Sequence, residues 1–222
     1  MRRMCSGIWL LLAIVWSCSA TAFSKKLVIL TIDDGPCSAF VEKVSITLKH
    51  HHATATFFCI GKNIQSDPSA LRLIFQNGFE IGNHSFSHRN LTRLSDNEIK
   101  KEINRTSDLI QEITGLRPTY FRPPQGAYNP RVKKVIESTG LKMAMWTIDP
   151  KDWRGKYGPN PEQTVNYITG RLQPGAIILL HEKRNTWKAL PILLDRLDKQ
   201  DYQVVSLSEF DRLNNQAATR KR

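Results

Sequence analysis

Leu27-Val28-Ile29-Leu30-Thr31-Ile32-Asp33-Asp34-Gly35-Pro36 is the stretch that decides the fold. Its first six residues are apolar or branched and uncharged, the composition of a strand buried on both faces. Two carboxylates stand where that strand ends. Gly35-Pro36 then stops the ladder, because proline has no N–H to donate and glycine allows a sharp turn. Adjacent acids repel, so something must hold them there. A solvated Asp-Gly turn is the bland account of the pair; the polar residues at the ends of the other strands decide against it.

Working outward, strand and helix signals alternate about seven times. Val41, Val44 and Leu48 recur at helical spacing toward His50-His51-His52, which reads as a polar helix end. Ala53 to Ile60 is a second strand, rich in β-branched and aromatic residues and ended by Gly61. Asp67-Pro68 opens a helix with Leu71, Ile74 and Phe75 inward, and Asn77-Gly78 closes it. Phe79 to Asn83 is a short third strand. Ser95 and Glu98 form a capping box before Ile99, Ile103, Ile110 and Ile113, and Gly115 stops that helix. Tyr120 to Arg122 is the fourth strand, and Asn129-Pro130 starts a helix with Val132, Val135 and Ile136 inward. Lys142 to Ile148 reads as a fifth strand, with Met143, Met145 and Trp146 in the core. Asn160-Pro161 caps a helix bearing Val165, Ile168 and Leu172, and Pro174-Gly175 breaks it. Ala176 to Leu180 is a sixth strand, Leu190, Leu193, Leu194 and Leu197 mark the next helix, and Tyr202 to Leu207 is the last strand. This alternation predicts an α/β fold, a parallel sheet curled into a closed or nearly closed barrel with helices outside.

The chain has 222 residues, 41% of them hydrophobic, which suits one domain with a real core. Arg2 and Arg3 precede an apolar run, Ile8 to Trp16, too short to span a bilayer. Residues 1–22 therefore read as a signal peptide, with Ala20-Thr21-Ala22 placing cleavage before Phe23; a lipoprotein reading at Cys18 fits less well because of Trp16. Residues 23–213 form the expected domain, and residues 214–222 a basic, disordered tail. The formal charge is +12, and losing Arg2 and Arg3 leaves +10. For an exported protein that balance favours anionic cell-wall polymers or membrane surfaces, and no nucleic-acid motif is visible. Cys37 and Cys59 each follow a strand; a bridge between loops and two separate thiols are both open.

In such a fold the carboxyl ends of the strands face one side, and chemistry gathers there. Asp33-Asp34 follows the first strand, His84-Ser85-Phe86-Ser87-His88 the third, and Arg122-Pro123-Pro124-Gln125-Gly126 the fourth. Asp149-Pro150-Lys151-Asp152-Trp153 follows the fifth and His181 the sixth. His84 and His88 are four apart, which lets two imidazoles converge on one ion if the backbone turns helically. With an aspartate across the barrel mouth they make a two-histidine, one-carboxylate set that leaves open positions for water and substrate.

Together, Thr31 to Pro36, His84 to His88, Arg122 to Gly126, Asp149 to Trp153 and Leu179-Leu180-His181 resemble the five ordered motifs of the polysaccharide deacetylases. These are also called the NodB homology family, or carbohydrate esterase family four. The resemblance spans roughly residues 26 to 210. It implies a distorted (β/α) barrel that removes acetyl groups from N-acetylated sugars with a divalent metal, zinc being the expected ion. It makes Asp33 the general base, Asp34, His84 and His88 the metal ligands, and His181 the general acid. Arg122 would orient Asp33, Asp149 would pair with Arg122, and Asp152 would steady His181. Arg122 and the metal would both favour the charged form of Asp33. Trp153 and Leu179 would line the acetyl pocket, and the backbone at Gln125-Gly126 would contact substrate. Gln125 stands where many members have Tyr; since the role there is a backbone N–H toward the oxyanion, the change bears on substrate contacts rather than on the reaction. The resemblance implies an exported, monomeric deacetylase of a peptidoglycan or chitin-like polymer. An O-acetyl polysaccharide (xylan-type) esterase is the alternative, and an inactive sugar-binding module a further one.

Overall fold

The computed structural model describes residues 25–219, so the expected signal peptide, its cleavage before Phe23 and the lipoprotein reading at Cys18 lie outside the described residues. Seven parallel strands form one curled sheet: β1 (Lys26–Gly35), β2 (Thr56–Cys59), β3 (Glu80–Asn83), β4 (Tyr120–Phe121), β5 (Lys142–Met143), β6 (Ile177–His181) and β7 (Tyr202–Val205). The order is β5-β4-β3-β2-β1-β6, with β7 also paired to β1. At ten residues β1 is long enough to serve two neighbours on one edge. Its lower half, Lys26 to Ile29, pairs with β7, and Ile29 to Asp33 pairs with β6. Ile148 bridges to Ile178 of β6, which draws the far edge of the curl back toward β1's side.

Around the sheet run α1 (Ser38–His50), α2 (Gly61–Ser66), α3 (Pro68–Gln76), α4 (Asp96–Thr114), α5 (Pro130–Ser138), α6 (Pro161–Thr169), α7 (Arg184–Lys199) and α8 (Leu207–Thr219). Because successive strand residues face opposite sides, β1 splits its side chains between two cores. Val28, Leu30 and Ile32 pack in the main cluster with Val41, Val44, Leu71, Ile74, Leu190 and Leu193 of the helices. Ile29 packs with Phe58, Tyr120 and Val205 in a second cluster inside the curl. Thr31 and Asp33 continue Ile29's side, which brings the first carboxylate into the curl.

The register then gathers the strand ends. Asp33 lies beside His181 and beside Phe58, Cys59 beside Asn83, and Asn83 beside Phe121. The next residues along the chain, Asp34, His84 and Arg122, emerge on one rim.

The structure differs from the sequence reading at several elements. Gly61 opens α2 rather than only ending β2, a six-residue helix too short for a periodic signal. Phe75 is 41% exposed, because α3 turns inward on Ala70, Leu71 and Ile74 and Phe75 lies past that stripe. The fifth strand holds only Lys142–Met143, since the carbonyls of Ala144 and Met145 are taken by Arg122. The chain expected to be a tail from residue 214 is helical through Thr219, and β7 ends at Val205 because Leu207 begins α8. Cys37 is exposed, Cys59 is buried, and both are free thiols.

Candidate active site

Arg122 is fully buried, a position a guanidinium occupies only when its donors are met. Nη1 donates to Asp33 Oδ1 at 2.8 Å and to Thr31 Oγ1 at 2.7 Å. Nε donates to the Ala144 carbonyl at 3.1 Å and Nη2 to that of Met145 at 3.0 Å. Its plane lies over the Phe58 ring, 4.2 Å from the centroid. Thr31 passes its own proton to the Ile178 carbonyl. The network leaves Asp33 one oxygen: Oδ2 makes no hydrogen bond among the described residues and lies 3.7 Å from His84 Nε2. Burial lifts the Asp33 carboxyl above its usual range, while Arg122 and then His181 pull it down without cancelling the rise. The sequence reading, that Arg122 and a cation keep Asp33 charged, left out this cost of burial.

The loop after β3 brings the two imidazoles together without a helical turn; Ser85 and His88 adopt left-handed backbone with φ of 65° and 56°. It is braced from beneath. Buried Asn83 donates to the Ile103 carbonyl and Ser107 Oγ of α4 and accepts from the Ser85 N–H. Glu102 accepts from the amides of Phe86 and Ser87 and from Ser87 Oγ. Ser85 Oγ in turn accepts from the His88 N–H. With Asp34 also left-handed, at φ 72°, three side chains converge. Asp34 Oδ1 lies 3.6 Å from His84 Nε2 and 3.3 Å from His88 Nε2. Donors bound tetrahedrally at about 2.1 Å stand about 3.4 Å apart, so this spacing suits a zinc-sized ion. The protonation states suit it as well. His84 Nδ1 donates to the Arg122 carbonyl at 2.7 Å, which leaves the Nε2 lone pair facing Asp34. Burial, and then the neighbouring His88, push the His84 pKa down to about 3, so the ring is neutral near pH 7. Asp34, His84 and His88 are the three residues among those described whose ligating atoms cluster so.

His181 stands opposite. Its Nδ1 is 2.8 Å from Asp152 Oδ1, and Asp152 Oδ2 accepts from the His181 N–H and from Thr186 Oγ1. Burial pulls the His181 imidazolium down, but the hydrogen bond and charge of Asp152 outweigh it and its pKa rises. Nε2 remains for the cleft. Gln125 is left-handed at φ 60°, and its N–H has no partner among the described residues, whereas the Gly126 N–H is spent on the Pro123 carbonyl. A Cβ on Gly126 would meet the Trp146 ring at 2.6 Å.

One expected contact is absent. Asp149 bonds the Lys151 amide and Nζ, at 2.8 and 2.6 Å, and is not an Arg122 partner. Arg122 spends four of its five N–H donors on Asp33, Thr31 and the two carbonyls, and none on Asp149. Asp149 still borders the cleft, a cavity of about 400 Å³ that also takes in Asp33, Asp34, His84, His88, Gln125 and His181. Trp153 and Leu179 line it as expected, and Gly126 does too. Trp146 lines it as well, where the sequence reading put it in the core, and so does Lys183. Glu182 carries no signal in the sequence: burial pushes its carboxyl up to about 8, its Oε1 is buried without a partner, and it presses on Gly35 beneath Asp34.

The family model described as "Polysaccharide deacetylase" matches residues 20–144. A peptidoglycan-N-acetylmuramic acid deacetylase of Bacillus subtilis (strain 168), PdaC, is 36% identical over 194 residues, 87% of this chain and 40% of that protein. A peptidoglycan-N-acetylglucosamine deacetylase of Listeria monocytogenes, PgdA, is 36% identical over 190 residues, 85% of this chain and 40% of that protein. This chain thus spans about 40% of the length of these two curated relatives. The solved structure of the Bacillus subtilis peptidoglycan deacetylase PdaC superposes with a TM-score of 0.81 at 35% identity, covering 89% of this chain and 95% of that one.

Proposed function

The chain belongs to the polysaccharide deacetylase family, and from that premise we propose that it is an exported, metal-dependent hydrolase removing N-acetyl groups from peptidoglycan-type glycans. The observation that carries this reading is the facing of two unlike sets across one cleft: Asp34, His84 and His88 on one side, the Asp152-braced His181 on the other, with the free oxygen of Asp33 between them. The relatives' named activities support the substrate class.

Asp34, His84 and His88 would hold the ion, zinc by the donor set. When bound it supplies Lewis acidity toward the acyl oxygen and makes water a competent nucleophile near neutral pH. The chain's own residues supply the rest. Asp33 Oδ2 accepts the proton of the attacking water, with Oδ1 held by Arg122. The Gln125 N–H, unengaged within the protein, is the donor toward the developing oxyanion. His181 Nε2 then delivers a proton to the departing amine nitrogen, which cannot leave as an anion, while Asp152 stabilises the imidazolium. Trp146, Trp153 and Leu179 form the apolar wall for the acetyl methyl.

The test is acetate release by metal-reconstituted protein from peptidoglycan glycan strands, N-acetylglucosamine oligomers and O-acetylated xylan. Release from the first two carries the reading. Release from xylan alone would replace it with the esterase alternative, and release from none would leave a binding module.

A further inference from the structure

The cleft does not end at His88 and Gln125. Both residues also wall a second depression of about 310 Å³, completed by Arg89, Asn90, Arg93 and Leu94. No acidic side chain lines it. Arg93 closes a short 3₁₀ turn, Leu91–Arg93, capped by Asn90, and makes no ion pair among the described residues. Arg89, half exposed, has Glu98 Oε1 at 3.8 Å, beyond a direct bond, and the other oxygen of Glu98 is held by the Ser95 amide and hydroxyl. Of the other acids around this loop, Asp96 is paired with Arg131, Glu102 is bonded to Phe86 and Ser87, and Asp34 faces His84 and His88. Two guanidinium groups therefore flank a hollow next to a metal-ligating histidine, with little to neutralise them. Forked guanidinium donors match the two oxygens of a carboxylate, which is where such groups gain most. A neutral sugar would leave both charges without a counterpart.

We propose that this depression is a subsite for a carboxylate-bearing sugar adjoining the residue whose acetamide is hydrolysed, with Arg89 and Arg93 recognising the carboxylate. The proposal rests on the deacetylase reading and sharpens its substrate class: an acidic N-acetylated glycan over a neutral one. The carboxylate can come from a lactyl ether or from a uronic acid, and the test separates these.

The experiment compares kcat/KM for acetate release by the metal-loaded protein on four polymers of matched length. These are glycan strands alternating N-acetylglucosamine with lactyl-ether sugars, the same strands methyl-esterified, an alternating N-acetylglucosamine–glucuronate polymer, and a neutral N-acetylglucosamine oligomer. The free lactyl strands should exceed their methyl esters by about tenfold or more, the scale of one charge-assisted contact, with the difference in KM. In the double variant Arg89→Gln with Arg93→Gln that ratio should fall toward one, and added salt should shrink it in the parent protein. A glucuronate polymer matching the lactyl strands upholds the subsite as a general carboxylate site, and a lactyl preference alone upholds it as specific for that ether. Acetate release from free and esterified strands at equal efficiency overturns the subsite while leaving the deacetylase standing. Absence of release from every polymer overturns both.

Discussion

Two clusters of histidine and aspartate stand at opposite ends of the sheet, and among the described residues only one brings three ligating atoms together. At the carboxyl ends of the strands, His84 spends Nδ1 on a backbone carbonyl and keeps the Nε2 lone pair for the site, where Asp34 and His88 meet it. At the other end, His50, His51 and His52 border a hollow with Asp198 and Tyr202. There His51 turns Nδ1 to Asp198 of α7 at 3.0 Å, while Asp195 lies 3.8 Å from Nε2, beyond a direct bond. The density of histidines is higher at the second cluster, yet no third ligating group converges there among the described residues. What separates them is the convergence of three ligating atoms on one point. Among the described residues seven non-glycine positions have positive φ; five, namely Asp34, Ser85, His88, Gln125 and Lys151, sit on the catalytic rim, where such conformations are maintained for function, and His52 belongs to the second cluster.

The sharpest way to break this contrast is Asp33→Asn. It keeps the shape and one acceptor for Arg122 but removes the base, so acetate release should fall about a thousandfold while the metal stays bound. Loss of metal along with activity would make Asp33 a ligand. Next, His84→Ala and His88→Ala should each drop the metal content of reconstituted protein well below one ion per chain, read by elemental analysis. The far-ultraviolet spectrum should stay that of the folded protein, since the main core lies elsewhere.

His181→Ala should slow amide hydrolysis about a hundredfold or more and aryl acetate esters far less, because phenolate leaves without a proton. Equal losses on both would make His181 a positioning group. Asp152→Asn tests the same pair by pH. Asp152 is what raises the His181 pKa against burial, so without it the imidazolium is lost earlier and the alkaline limb of kcat moves to lower pH. A smaller effect is expected at Glu182. Its folded pKa of about 8 exceeds the ordinary 4.5, so between those values the folded chain holds a proton the unfolded chain has released, and stability falls as pH rises through that window. In metal-free protein Glu182→Gln should flatten that decline, seen as a Tm that no longer drops from pH 5 to 8.

How much of this was legible in the sequence depends on where each partner lies in the chain. Asp33, Asp34, His84, His88, Arg122 and His181 sit at or directly after strand ends, so an α/β alternation with one-sided chemistry was enough to bring them together. The supports were not legible, because backbone carbonyls have no sequence signature. Arg122 donates to the Ala144 and Met145 carbonyls just past β5, where the sequence reading expected Asp149 as its partner. Asn83 and Glu102 brace the histidine loop from strand and helix positions that look ordinary in the sequence. Trp146 read as core because it fell within the expected fifth strand; the tight approach of Gly126 against its ring is what holds it at the cleft wall.

The smallest effect should come from the second cluster, and its smallness is the point. His51 is nearly enclosed, with its ring edge-on to His50 at 5.0 Å and its nitrogens toward Asp195 and Asp198, whose side chains are 64% and 51% exposed. Partners that wet are screened, so the contact ties the end of α1 to α7 without much energy, about 1 kcal/mol or less. His51→Ala should therefore lower Tm by a few degrees at most and leave metal stoichiometry and acetate release as in the parent. The triple replacement of His50, His51 and His52 by Ala should do no more to the metal. A chain that lost its ion on that change would place a metal at the wrong end of the sheet. Convergence of three ligating atoms would then no longer distinguish a ligand from a structural histidine in this fold.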